Sequence, residues 1–126
     1  MSKTVVRSDN APKAIGPYSS AMQVGANMLF VSGQIPVNPQ TGDMPSDIKE
    51  QAKQSLTNLK ALVEAGGFTM ADVVKTTVFI TDINDFAAVN EVYATFFAEP
   101  YPTRSCVAVK ELPKAAKVEI ECICAK

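Results

Sequence analysis

The chain contains no histidine. That absence removes the usual general base near neutral pH and the commonest transition-metal ligand. It also excludes any Ser-His or Cys-His nucleophile pair. Cysteines number only three, an odd count placed late in the chain, which argues against a secreted disulfide framework. Apolar runs are short: "MLFV" and "VFI" fall far below the roughly 20 residues of a membrane helix. The opening "MSKTVVRSDNAPK" lacks the apolar stretch of a signal peptide, so a cytoplasmic protein is expected. Excess charge of either sign is also missing, with a net charge of −1 and lysines spread singly. No basic stripe is present to release counterions, so no nucleic-acid partner is expected, short of a patch formed by assembly.

What remains is a chain of 126 residues, 47% hydrophobic and 20% charged, the balance of one globular domain spanning 1–126. Short strands are expected at 4–7 and 20–25, and a longer one from Met28 to Gln34, ended by Pro36. In "SDIKEQAKQSLTNLKALVEAGG", Asp47 with Glu50 resembles a capping box. Ile48, Ala52, Leu56, Leu59 and Val63 then form one apolar helical stripe, and Gly66-Gly67 is the stop. Residues 73–81 read as a strand. A second helix is expected through "DINDFAAVNEVYATFFAE", with Phe86, Val89, Tyr93, Phe96 and Phe97 on one side. "TRSCVAV" and "KVEIECICA" are two final strands joined by "KELPKAA". The order β-β-β-α-β-α-β-β is an α+β pattern: a mixed sheet with both helices on one face.

Side-chain parity predicts what the other face carries. Val118, Ile120, Cys122 and Cys124 share one side of the last strand, and Glu119, Glu121 and Ile123 the other. In the strand before it, Val107 and Val109 are expected toward the helices, and Arg104, Cys106 and Ala108 away from them. With Phe79, that uncovered face is too apolar for plain solvent, which points to self-association and a cleft at the subunit boundary. An arginine and a carboxylate at such a rim are candidate site residues. The plain alternative is a cross-strand ion pair from Arg104 to Glu119 or Glu121.

Four ordered blocks then carry a resemblance: "AIGPYS", "FVSGQIPVNPQTG", "KTTVFITDINDFAAVNEVYATFF" and "YPTRSCVAVKELPKAAKVEIE". Together they resemble the reactive intermediate deaminase (RidA) family, whose members were also described as translation inhibitors or endoribonucleases. The resemblance implies a fold like the Bacillus-type chorismate mutase and a homotrimer with sites between subunits. It implies hydrolysis of 2-imino acids, and their enamine tautomers, to 2-keto acids and ammonia, with no cofactor or metal. Such imines are released by pyridoxal-phosphate-dependent dehydratases. Carried over by position, the motif arginine is Arg104, the glutamate of "VEIE" is Glu119, the tyrosine of "GPY" is Tyr18, and the cysteine after "RS" is Cys106. Ser32 and Gly33 of "SGQ" and Asn90 of "NEVY" match substrate-binding positions. Between "FF" and "YPTR" the chain has only "AEP", shorter than in some relatives.

In this chemistry Arg104 would hold the substrate carboxylate through two parallel hydrogen bonds, and Glu119 would orient and deprotonate water. Tyr18 either donates a hydrogen bond to substrate or anchors a turn. Cys106 is either a site thiol or a packed small residue, with no histidine to activate it. Asn90 binds substrate or bonds backbone. Cys122 and Cys124 read as core, since a lone "C-x-C" is a weak metal signal. Two other functions stay open: a non-catalytic ligand-binding or chaperone-like trimer, and an RNA-directed activity.

Overall fold

The computed structural model describes residues 2–126. The strands are β1 (Lys3–Val6), β2 (Ala21–Val24), β3 (Met28–Gln34), β4 (Val73–Ile80), β5 (Thr103–Ala108) and β6 (Val118–Ala125); the α-helices are α1 (Ile48–Ala65) and α2 (Phe86–Tyr93). The expected β-β-β-α-β-α-β-β order is borne out. All six strands form one sheet in the order β1-β2-β3-β6-β4-β5. Neighbours are antiparallel except β4 and β5. A parallel pair needs a crossover, and α2 supplies it.

Helix α1 forms where capping and periodicity agree. The Asp47 carboxylate accepts the Glu50 N–H at 3.1 Å. At the other end the Gly67 N–H donates to the Glu64 carbonyl and the Phe68 N–H to Val63, at 3.0 and 3.1 Å. This Schellman closure needs a left-handed residue, and Gly67 has φ +83°. Leu56, Leu59, Leu62 and Val63 are fully buried against the sheet. Each such side chain contributes roughly 1.5–3 kcal/mol of burial.

Helix α2 is shorter than its apolar stripe predicts. Asp82 caps a 3₁₀ turn at Ile83–Asp85, and the α-helix runs only from Phe86 to Tyr93. The Thr95 N–H and hydroxyl both donate to the Val92 carbonyl, at 3.0 and 2.6 Å, which tightens the last turn and ends the ladder. Phe97 still packs on Tyr93, with ring centroids 4.5 Å apart. The stripe is therefore completed by a turn rather than by more helix.

The strand faces follow from register. Val118, Ile120, Cys122 and Cys124 lie buried beneath the helices, as expected. In β5 the expected orientation is reversed. Thr76 pairs with both Arg104 and Cys122, and Val78 with both Cys106 and Ile120. Arg104, Cys106 and Ala108 therefore share the helix side, and Ser105 and Val107 the open side. The reason is the position of β5 at the sheet edge, where the helix layer ends. Both parities are solvated there, so an apolar-in rule cannot orient the strand. An Arg104–Glu119 or Arg104–Glu121 cross-strand pair is also ruled out. Strand β4 lies between β5 and β6, and the arginine and glutamates emerge on opposite faces.

The open face itself is as apolar as parity predicts. Glu119, Phe79 and Val107 form one row across β6, β4 and β5. Val5, Phe30 and Ile123 line up farther along. Val5, Phe30 and Val107 are 40%, 41% and 45% exposed, large side chains that no helix covers.

Candidate functional site

The candidate residues fall into two clusters. The first lies at the sheet edge on the helix side. The Arg104 guanidinium donates to Asn90 Oδ1 at 2.6 Å. It stacks 4.8 Å from the Tyr93 ring centre and 5.5 Å from that of Phe86. The Tyr93 hydroxyl is in turn hydrogen-bonded to Thr76 Oγ1 at 2.7 Å, in the buried layer between helix and sheet. Cys106, two residues along the same side of β5, is half-buried against the core. Burial pushes its thiol up, partly opposed by the Arg104 charge. A shift in that direction leaves less of the thiolate that a nucleophile requires, and no histidine is present to activate the thiol.

The second cluster lies on the open face around Glu119. Strand β3 carries a β-bulge between Val31 and Gln34, where Ser32 and Gly33 stand opposite a single position of β6. The Glu119 side chain lies over Gly33 so closely that a Cβ there would come within 2.7 Å of the carboxyl carbon. The missing side chain is what seats the carboxylate. Burial, with Glu121 adding to it, pushes the Glu119 carboxyl above its ordinary range. That is the direction a general base working near neutrality requires.

Ser32 ties the Tyr18 loop to this strand. Its hydroxyl donates to the Ser19 carbonyl at 2.7 Å and its N–H to Ser20 at 2.9 Å. Tyr18 is half exposed, and its hydroxyl accepts the Ile15 N–H at 3.4 Å. It shares a small cavity of about 50 Å³ with Gly33, Ile15 and Lys114. The turn-anchoring contact is thus present, and the exposed ring leaves Tyr18 free to meet a ligand as well. A larger groove, about 710 Å³, runs between α1 and α2 among Lys49, Lys53, Glu64 and Glu91. It contains none of the candidate residues, so its size does not make it the site.

The structure therefore groups Arg104, Asn90 and Cys106 in one place, and Glu119, Gly33, Ser32 and Tyr18 in another. Sequence reasoning assigned Phe86 and Tyr93 to a core stripe and overlooked Thr76. Their signal was the spacing of Phe86, Asn90 and Tyr93, four and three residues apart, which aligns them on one helical face.

Comparison with known proteins bears on the family and the fold. The family model described as Endoribonuclease L-PSP matches residues 8–126. The chain is 56% identical over 126 residues to the 2-iminobutanoate/2-iminopropanoate deaminase of Escherichia coli K12, covering 98% of this chain and 97% of that protein. The fold superposes on Escherichia coli TdcF with bound serine at a TM-score of 0.93, with 53% identity and 98% of each chain covered. RidA from an Antarctic Psychrobacter matches at a TM-score of 0.94, with 44% identity over 98% of this chain and 99% of that one. Four motif blocks, a full-length match and a shared fold lead to one statement: the chain belongs to the reactive intermediate deaminase family.

Proposed function

We propose that this protein hydrolyses reactive 2-imino acids, and their enamine tautomers, to 2-keto acids and ammonia, in sites completed between copies of the chain in a homotrimer. The observation that carries the reading is the pairing of a fixed guanidinium with a carboxyl raised by burial, on opposite faces of one sheet. Such groups act on one substrate when the edge of one protomer meets the open face of the next. The 56% identical Escherichia coli deaminase supports the substrate class. The apolar open face supports burial by assembly. Among the described residues no helix is long and apolar enough to cross a membrane; a cytoplasmic enzyme acting on a small-molecule substrate is part of the same proposal.

Arg104 holds the substrate carboxylate through its planar fork and so fixes the imine carbon. With the imine protonated to an iminium, Glu119 takes a proton from water as the water oxygen bonds to that carbon, giving a neutral amine and hydroxyl on one centre. The proton on Glu119 then passes to the nitrogen. The C–N bond breaks as the hydroxyl oxygen forms the ketone and returns its proton to the Glu119 carboxylate, and ammonia leaves with the electron pair. Tyr18 donates a hydrogen bond near the substrate. Ser32 and Gly33 shape the seat of the base, and Cys106, on the same side of β5 as Arg104, packs against the core. No redox step, metal or organic cofactor is required.

The test couples a threonine dehydratase to the protein and follows 2-ketobutyrate while semicarbazide traps free imine. Wild type accelerates keto-acid release, Arg104→Ala abolishes nearly all of it, and Glu119→Gln lowers it by about 10²–10⁴-fold. Unfolding and reassembling the two inactive variants together at equal concentration restores activity in about a quarter of the sites, because half the edges and half the faces are intact. No acceleration by wild type refutes the reaction. Inactive mixed assemblies refute the shared site. Suppressed aggregation that persists in Arg104→Ala would instead favour a chaperone-like role.

A further inference from the structure

Arg104 lies at an exposed sheet edge, where an arginine is ordinarily free to sample many rotamers. Here three side chains of one helix converge on it. Phe86, Asn90 and Tyr93 occupy successive positions of a single face of α2, the one that looks over β5. Asn90 Oδ1 accepts from one terminal nitrogen at 2.6 Å, which leaves the other edge of the planar group open. The two rings lie 4.8 and 5.5 Å from the guanidinium carbon. Tyr93 does not move independently, because its hydroxyl is tethered to Thr76, which pairs with Arg104 across β4 and β5. The ring, the arginine backbone and the tether form one closed circuit.

We infer that Asn90, Phe86 and Tyr93 are positioning residues that set the Arg104 guanidinium in one orientation before substrate arrives, Asn90 acting through the arginine rather than on the substrate. The inference rests on the reading of Arg104 as the carboxylate anchor. A fork held in advance loses less rotamer freedom on binding, so the cradle lowers the cost of capturing a small anion. The same contacts explain a terminal nitrogen occupied by an amide oxygen: an acceptor there rejects the rotamers that would collapse the arginine onto bulk water.

The experiment compares Asn90→Ala, Tyr93→Leu and the pair Tyr93→Phe with Thr76→Val, which keeps the ring and leaves no buried hydroxyl alone. Asn90→Ala and Tyr93→Leu each raise KM by about tenfold with kcat changed by less than about threefold, the signature of lost uniform binding. The ring-preserving pair recovers most of the Tyr93→Leu loss. In an Arg104→Lys background, which lacks the fork that Asn90 holds, Asn90→Ala costs less than about twofold more. A fully additive loss would make Asn90 a substrate contact and overturn the inference.

A second readout needs no turnover. The Arg104 side-chain ¹⁵N resonances are resolved in wild type and averaged in Asn90→Ala and Tyr93→Leu. Averaged resonances in wild type would overturn the cradle. Resonances that are resolved, freed by the variants, yet unmoved by added 2-ketobutyrate would uphold the cradle and refute the carboxylate role alone.

Discussion

Replacing Gly33 with alanine would place a methyl group where the Glu119 carboxyl now lies. The new Cβ would come within 2.7 Å of the carboxyl carbon, closer than real Cβ atoms approach, and a tight 3.0 Å from Cγ. The yielding atoms are the far end of a flexible side chain, so the fold absorbs the change by swinging Glu119 away from β3. Gly33 does not occupy the left-handed region, so alanine meets no backbone strain there. Removing a glycine from a strand gains roughly 0.5–1 kcal/mol, so stability stays level or rises slightly. Catalysis moves the other way. A general base contributes about 10²–10⁴-fold, and losing its seat forfeits at least about tenfold of that. The pH profile gives the sharper check. In its proposed role Glu119 acts ionised, so kcat/KM is expected to fall as pH drops through its carboxyl, and burial sets that limb above the ordinary carboxylate range. In Gly33→Ala the carboxyl is better hydrated and the limb shifts to lower pH. The assay is the dehydratase-coupled rate across pH, beside a urea titration. A variant with unaltered kcat and an unmoved acid limb would refute the claim that Gly33 seats the base.

Glu119→Gln, by contrast, should be a stability gain. Burial raises the folded-state carboxyl, so the stability Glu119 allows is fully present below about pH 4.5, its ordinary value, and is lost as pH rises through the raised one. Urea midpoints of the variant and wild type therefore coincide in acid and separate in favour of the variant toward neutrality; a gap that widens in acid contradicts the desolvation account. Ser55→Ala should stabilise by about 1 kcal/mol, measured by urea unfolding, because the buried Ser55 hydroxyl has no hydrogen-bond partner among the described residues.

The elements legible in the sequence were those in which local and tertiary demands coincide. Helix α1 carried a cap at Asp47, an apolar stripe and a glycine stop, and each describes the same boundaries. Strand β6 was oriented correctly because it lies in the sheet interior, with Val118, Ile120, Cys122 and Cys124 pressed beneath the helices. Strand β5 was not, because at an edge the burial of a side chain depends on which neighbour extends over it. Its orientation is inherited from register with β4, and register between parallel strands leaves no trace in a single segment. Helix α2 ended early through a Thr95 hydroxyl bond that hydrophobic periodicity does not record. Of the candidate site residues, Arg104 and Glu119 stood out by chemical type. The seat of each was invisible: Gly33 matters through a bulge that brings it under Glu119, and Tyr93 through a ring whose apolar spacing reads as core.

The reversal of β5 alters the assembly the site demands. Were Arg104 and Glu119 on the same face, one protomer would hold both, and burial of the apolar face would be a separate matter. With the two on opposite faces, a substrate touching both must bridge two copies, and the surface each copy offers differs from the one it receives. A two-fold dimer joins like patches, so a contact between an edge on the helix side and an open face is head-to-tail. Head-to-tail contacts either close into a ring or grow without limit. In the proposed trimer a closed ring would give every protomer one donated edge and one accepted edge, and would cover the open face that carries Phe30, Phe79 and Val107 in the same step. In the proposed assembly, completion of the site and burial of the exposed apolar face would be a single requirement, so a substitution that opens the ring, such as a charge at Val107, is expected to remove activity together with assembly, as size-exclusion chromatography beside the coupled assay would show.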